Sequence, residues 1–252
     1  NGEAYFKRGF AYINMEKNDK ACLDFNKAVE LGYPSAKELI KKYCSNQTSE
    51  EYLQMGLSKA NLKDYKGAIT DYSKALEFNP SHSKVYLKRG YAKACLQDYR
   101  GALVDYDKAI EFNSNYADAY VYRATAKLNL QDYDGDLADL NKAIELNPKD
   151  GHTYYFRGLT KDIMKDFQGA ITDFSKAIEI NPRDADAYND RGHVKGKIKD
   201  FQGAIDDFSK AIEFRPSDAI AYKYRGMIKM LMGQIENGCL DLNKAGELGS
   251  EE

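Results

Sequence analysis

The chain has 252 residues, enough for one large domain or two small ones, and 43% hydrophobic with 30% charged content excludes a disordered tail. A formal net charge of −2 gives no basic footprint for DNA, RNA or an anionic membrane, so no nucleic-acid partner is expected. No apolar run reaches the length of a membrane span and no signal peptide is present, so direct membrane insertion is not expected either.

The chain opens without a methionine, already in register with its later copies, so an upstream segment, such as a targeting one, is expected to have been removed. Gly9, Ala21 and Ala28 set a spacing that recurs along the chain. The stretch "SAKELIKKYC" then places Ala36, Leu39, Ile40, Tyr43 and Cys44 at i, i+3, i+4, i+7 and i+8, a one-sided apolar helix. "SNQTSE" after it is expected to be a polar linker. From there Gly56, Gly90, Gly158, Gly192 and Gly226 fall on one 34-residue lattice, with Ala124 filling the missing slot. Alanines follow at fixed distances, at 68, 102, 170 and 204 and again at 75, 109, 143, 177, 211 and 245. Seven copies and 13 inserted residues account for residues 2–252. The expected organisation is an N-terminal hairpin with a capping-like helix at 1–46 and a six-copy array at 49–252. The insertion is read either as a bulge in one continuous array or as a break that kinks the chain or lets its N-terminal unit exchange between molecules. Residues 21–32, "ACLDFNKAVELG", match the terminal "GCLDLNKAGELG" (238–249) better than any middle copy.

Within a copy the helical period appears twice. Tyr188, Arg191, Gly192 and Lys195 mark a first helix, and Ala204, Ile205, Phe208, Ala211 and Ile212 an apolar stripe on a second. Asp64, Asp98, Asp132, Asp166 and Asp200 stand at N-cap positions. Asn79, Asn113, Asn147 and Asn181 are expected to close the second helices where a left-handed backbone is tolerated, and Pro80, Pro148, Pro182 and Pro216 forbid continuation. One 34-residue hairpin buries too little apolar surface to fold alone, so each must lean on its neighbours. Val29, Leu76, Ile110, Ile144, Ile178 and Ile212 are available for that packing, and Gly246 in their place reads as the end of the array.

The tyrosine, glycine, two alanines, aromatic (Tyr72, Tyr106, Phe174, Phe208) and proline resemble the signature of the tetratricopeptide repeat family over nearly the whole chain. That resemblance implies an all-α fold, a right-handed superhelical solenoid of antiparallel helix hairpins. The chain departs from the family in the arginine before the glycine (Arg8, Arg89, Arg123, Arg157, Arg191, Arg225). An aspartate accompanies it in every second helix (Asp24, Asp71, Asp105, Asp139, Asp173, Asp207, Asp241). A repeating structural Arg–Asp pair is therefore expected, absent from the second copy, where Met55 replaces the arginine. Asp136 replaces a small alanine at a close helix contact, so its carboxylate is expected to reach solvent or a cation, with looser packing around it.

Catalytic and metal chemistry find little support. The acidic run "DYDGDLAD" (132–139) fails as a calcium loop, because its glycine is misplaced and Ala143 stands where a bidentate glutamate is needed. His82, His152 and His193 lie in different copies without ligand spacing and are expected on the solvated surface. Cys22, Cys44, Cys95 and Cys239 show no paired spacing, which reads as buried small residues in a reducing compartment, with the cytoplasm favoured and a secreted or periplasmic location the alternative if an N-terminal signal was removed. Lys27, Lys74, Lys108, Lys142, Lys176, Lys210 and Lys244, each three residues before a glutamate, form a solvated face. No enzymatic activity, cofactor or metal is expected.

The resemblance also implies where binding would occur, since first helices of this family line a concave groove. By register the groove positions are Phe6 and Phe10, Leu53 and Leu57, Leu87 and Tyr91, Val121 and Thr125, Tyr155 and Leu159, Asn189 and His193, and Lys223 and Met227. Five copies present an apolar or aromatic strip and the last two turn polar. The lysines and asparagines of a carboxylate clamp are missing at Leu87, Tyr91, Val121 and Thr125, and no asparagine ladder stands two residues before the glycines. The expected function is a non-catalytic scaffold holding a protein or peptide segment. The alternatives are a homo-oligomerisation module acting through residues 1–46, or the regulatory part of an enzyme whose catalytic domain lies outside this chain.

Overall fold

The computed structural model describes residues 2–15 and 17–249, with the backbone alone described at 19 and 45–48. Among these residues the elements are helical throughout. They run α1 (Gly2–Asn14), α2 (Asn18–Glu30), α3 (Ala36–Leu39), a π-helical turn (Ile40–Cys44), α4 (Ser45–Asn61), α5 (Tyr65–Phe78), α6 (Ser83–Cys95) and α7 (Tyr99–Phe112). They continue α8 (Ala117–Asn129), α9 (Tyr133–Leu146), α10 (Gly151–Ile163), α11 (Phe167–Ile180), α12 (Ala185–Lys197), α13 (Phe201–Phe214), α14 (Ala219–Leu231) and α15 (Ile235–Glu247). Residues 1–130 and 131–252 form two compact units, divided in the turn of the fourth hairpin.

The hairpin ends follow from local chemistry. The carboxylates of Asp64, Asp98, Asp132, Asp166 and Asp200 accept from the backbone N–H three residues on, satisfying one of the orphan donors that open each second helix. The left-handed backbone expected at the asparagines lies elsewhere. Asn79, Asn113, Asn147 and Asn181 have φ between −123° and −149°, and the side chains of Asn79 and Asn113 cap their own turns by accepting from N–H groups two residues on. Positive φ falls instead in the turn between the two helices, at Lys63, Gln97, Gln131, Lys165 and Lys199, with values of 62–65°. Gly233 holds that position in the last hairpin, with φ +80°.

Each unit has its own core. In residues 1–130, Tyr72 packs with Leu53, Ala68, Ala75 and Val85, and Tyr106 with Leu87, Ala102, Ala109, Ala119 and Ala126. In residues 131–252, Phe174 and Phe208 hold the same place, with Val194 and Ile228 of the following first helices against them. The glycine of the first helix is required by close approach: a Cβ on Gly90 would stand 2.6 Å from the Tyr106 ring. Asp136, in the alanine column, is buried rather than reaching solvent.

The second copy begins differently. Residues 45–50, expected as a polar linker, are helical: they form the first turns of α4, which follows the π-helical turn directly. The reading of the four cysteines as buried small residues does not hold for all of them. Cys22 and Cys44 form a disulfide, their Cα atoms 5.3 Å apart, while Cys95 and Cys239 are exposed. A separation of 22 residues carries no pairing signal in the sequence; the fold supplies the proximity, and the reading of a reducing compartment loses its basis. The apolar face of residues 36–44 joins Phe25 and Val29 in one cluster, so α2, paired with α1 in its hairpin, packs its other side against α3 and the π-helical turn.

Candidate functional site: the faces of the first helices

The first helices are fixed in place by a repeated ionic network. Arg89 donates from Nε and Nη2 to Asp105 at 3.0 and 2.6 Å, and from Nη1 to Ser73 of the preceding hairpin at 3.1 Å. Lys93 Nζ lies 2.7 Å from the same carboxylate. Arg157, Arg191 and Arg225 repeat this on Asp173, Asp207 and Asp241, and their Nη1 groups reach Asn141, Ser175 and Ser209. Arg8 holds Asp24 with two 2.7 Å bonds, and Arg123 donates to Asp107 at 2.7 Å. In the second copy Asp71 has Lys59 at 2.7 Å and Met55 where the guanidinium would be. Burial alone would raise the Asp241 carboxyl, but the Arg225 and Lys229 hydrogen bonds outweigh it and hold the group below the usual carboxylate range. The expected pairs are thus present at Arg8, Arg89, Arg157, Arg191 and Arg225. The sequence reading missed the lysine and the backward contact, although a polar residue 16 positions before each of the last four arginines signals the latter.

In residues 1–130, α4 neighbours α6 and α6 neighbours α8, so first helices share one face. Of the positions expected there, Leu53 and Leu87 are instead buried inside hairpin cores, because the position three before the glycine turns inward between helices. Phe6, Leu57 and Val121 are half-buried, and Thr125 is exposed. Phe10 and Tyr91 are each 41% exposed and set in ring contacts, Phe10 with Phe6 at 5.4 Å and Tyr91 with Tyr122 at 5.5 Å between centroids. A separate cleft of about 930 Å³ is lined by Asn18, Lys42, Tyr43, Glu50, Gln54 and Met55.

In residues 131–252, α10, α12 and α14 neighbour one another in the same way. Tyr155 donates to Asp190 Oδ2 at 2.7 Å, and Asn189 Nδ2 to Asp218 at 2.7 Å. The His193 ring lies tilted against that of Tyr224 with centroids 4.8 Å apart, Leu159 and Lys223 are half-buried, and Met227 is 45% exposed. Burial pushes the Asp190 carboxyl up against the opposing pull of the Tyr155 hydroxyl, and burial with the Asp190 hydrogen bond pushes the Tyr155 phenol up.

The histidines do not share a solvated surface. Only His152 is exposed; His82 is half-buried with Nδ1 3.0 Å from the Ser49 hydroxyl, and burial lowers its pKa. Among the described residues no three or more His, Cys, Asp or Glu side chains converge where a metal ion could be held. No described helix is long and apolar enough to cross a membrane.

The tetratricopeptide repeat family matches at residues 2–31, 52–82, 117–150 and 185–218, and a further model described as a TPR repeat matches at 164–199. A search of curated proteins finds no match. Among solved structures, the protein MamA is similar at 27% identity and a TM-score of 0.61, over 69% of this chain and 94% of that one. YrrB, described as a TPR protein with an unusual peptide-binding site, is similar at 22% identity and a TM-score of 0.60, over 72% and 93%. PilF of Pseudomonas aeruginosa gives a TM-score of 0.73 at 16% identity, over 82% of this chain and 95% of its own. With the repeat matched over half its length and its hairpins laid out as the repeat requires, the chain belongs to the tetratricopeptide repeat family, an all-α solenoid fold that serves as a protein-interaction scaffold.

Proposed function

We propose that this chain is a non-catalytic scaffold whose first-helix faces hold an extended or helical segment of a protein partner. The observation that carries this reading is the exposure of Phe10 and Tyr91, large rings left facing water on helices whose other faces are packed. The position after the glycine does the gripping: Phe10, Leu57, Tyr91 and Thr125 in residues 1–130, and Leu159, His193 and Met227 in residues 131–252. Apolar anchors at such positions suit alternate side chains of a bound peptide. YrrB, with its described peptide-binding site, supports the reading by analogy of fold. Residues 1–46 act in this scheme as a separately capped hairpin, since residues 36–44 cover the face of α2 that a following repeat would take.

A peptide library panned on the wild-type chain and on a Phe10→Glu, Tyr91→Glu double variant tests the proposal. Wild-type protein is expected to enrich peptides with spaced apolar residues and the variant to lose that enrichment. Val104→Glu, at an exposed second-helix position, should leave it unchanged. Equal enrichment by all three proteins would remove the proposal.

A further inference from the structure

Two second helices of this chain carry nearly the same sequence, and among the described residues only one of them is covered. Residues 21–32 and 238–249 agree at nine of 12 positions, including the cysteine, the leucine after it and the "NKA" core. Cys22 and Cys239 stand in one column, held in interior hairpins by Ile69, Leu103, Ile171 and Ile205, which pack with first-helix residues of the following hairpin. On α2 that face is sealed by residues 36–44: Cys22 is bonded to Cys44, and Ala36, Leu39, Ile40 and Tyr43 cluster with Phe25 and Val29. On α15 the equivalent face is bare among the described residues. Cys239 is exposed, and a Cβ on Gly246, the counterpart of Val29, would meet nothing within 4 Å.

We infer that α15 is a docking site for a short amphipathic helix of the 36–44 kind, with apolar residues at i, i+3, i+4 and i+7 and a cysteine at i+8 that closes a disulfide to Cys239. The face is already known to accept such a helix, because its near-copy on α2 does so within this chain. Charge agrees: residues 36–44 carry Lys37, Lys41 and Lys42 against Glu38, while on α15 Asp241 is already held by Arg225 and Lys229 and Glu236 and Glu247 stand against Lys244. The bond forms as the two thiols give up two protons and two electrons to a low-molecular-weight disulfide such as oxidised glutathione, which leaves as two thiols. Docking comes first and raises the effective concentration of the thiols; the disulfide then holds the helix.

The test uses the full chain and a peptide with the sequence of residues 33–44, YPSAKELIKKYC, in a glutathione redox buffer, with mixed disulfides located by peptide mapping. Cys95, also exposed but on the first helix α6, is the internal control. Cys239 is expected to take up the peptide about tenfold more than Cys95, and about tenfold more than a scrambled peptide that keeps its terminal cysteine. Gly246→Val, which restores the counterpart of Val29, should raise capture several-fold further. Uptake at Cys239 that is indifferent to peptide order, or matched by Cys95, would overturn the inference.

Discussion

Helices α4 and α12 occupy the same place in their hairpins yet meet different neighbours, and the difference shows what makes a junction in this chain. On α12, Ala187 and Val194 are buried and Arg191 bonds Ser175 on α11. The same three positions on α4 hold Glu51, Ser58 and Met55, all exposed. The hairpin interior is unchanged, since Gly56 lies on the Tyr72 ring as Gly192 lies on that of Phe208. Junction chemistry can therefore be added or withdrawn at three positions without disturbing the hairpin beneath them, and a helix that follows displaced rather than stacked neighbours has lost it.

The largest test makes α12 resemble α4. Arg191→Met strips Asp207, 3% exposed, of two hydrogen bonds and leaves it with Lys195, while also cutting the tie to Ser175. Removing one partner of a buried pair leaves the other charge poorly compensated, at a cost of about 3 kcal/mol in urea unfolding. A loss below about 1 kcal/mol would mean that Lys195 alone neutralises the carboxylate and the guanidinium is ornamental. The reverse change, Met55→Arg, offers a guanidinium to Asp71, which among the described residues is ion-paired with Lys59 alone. It should gain about 1 kcal/mol, the worth of new bonds to a charged group less the ordering of a long side chain. A loss on this substitution would show that α4 does not offer the geometry of α12.

Features that recur were legible in the sequence, because a repeat exposes each position to the same surroundings several times over. The caps at Asp64 to Asp200 and the Arg–Asp pairs were read this way and are present. Features set by a single event were not. The Cys22–Cys44 bond depends on the one place where residues 36–44 cover α2, and no periodicity announces it. The left-handed turn positions were hidden because lysine and glutamine stand where glycine would have advertised them. Register alone also could not separate the two expected groove columns: Phe10, Tyr91, Thr125 and Met227, in the column after the glycine, are exposed, whereas Leu53 and Leu87, three before it, are drawn into the cores.

Asp190 sharpens the comparison from within a regular stretch, since its column holds Tyr122, Phe156 and Tyr224 in other copies. Its folded pKa is raised, so the folded protein binds more protons than the unfolded chain between the ordinary carboxyl range and that raised value. The charge thus costs stability above the raised pKa, and the cost disappears as pH falls below the unfolded value. Asp190→Asn keeps an oxygen to accept from Tyr155 and should stabilise the fold by on the order of 1 kcal/mol at pH 7, with the gain vanishing near pH 3. Thermal melts of both proteins across that range read the effect; a gain independent of pH would place its origin elsewhere.

The smallest effect separates α14, whose turn carries a glycine, from α10 and α12, whose turns do not. Lys165 and Lys199 both hold φ 65°, where a Cβ crowds the backbone, while Gly233 holds φ +80° without that penalty. The Lys165 N–H still donates to Asp162 and the Asp166 N–H to Lys161, so the turn is kept by its hydrogen bonds against the preference of its own residue. Lys165→Gly relieves the left-handed strain but gives the unfolded chain more freedom to lose, so the net gain should be about 0.5 kcal/mol. Gly233→Lys should lose a similar amount. Lys165→Ala in matched thermal melts separates backbone from charge: it removes the same charge but keeps a Cβ at positive φ, so it should show none of the gain of Lys165→Gly, and an equal gain would place the effect in surface charge.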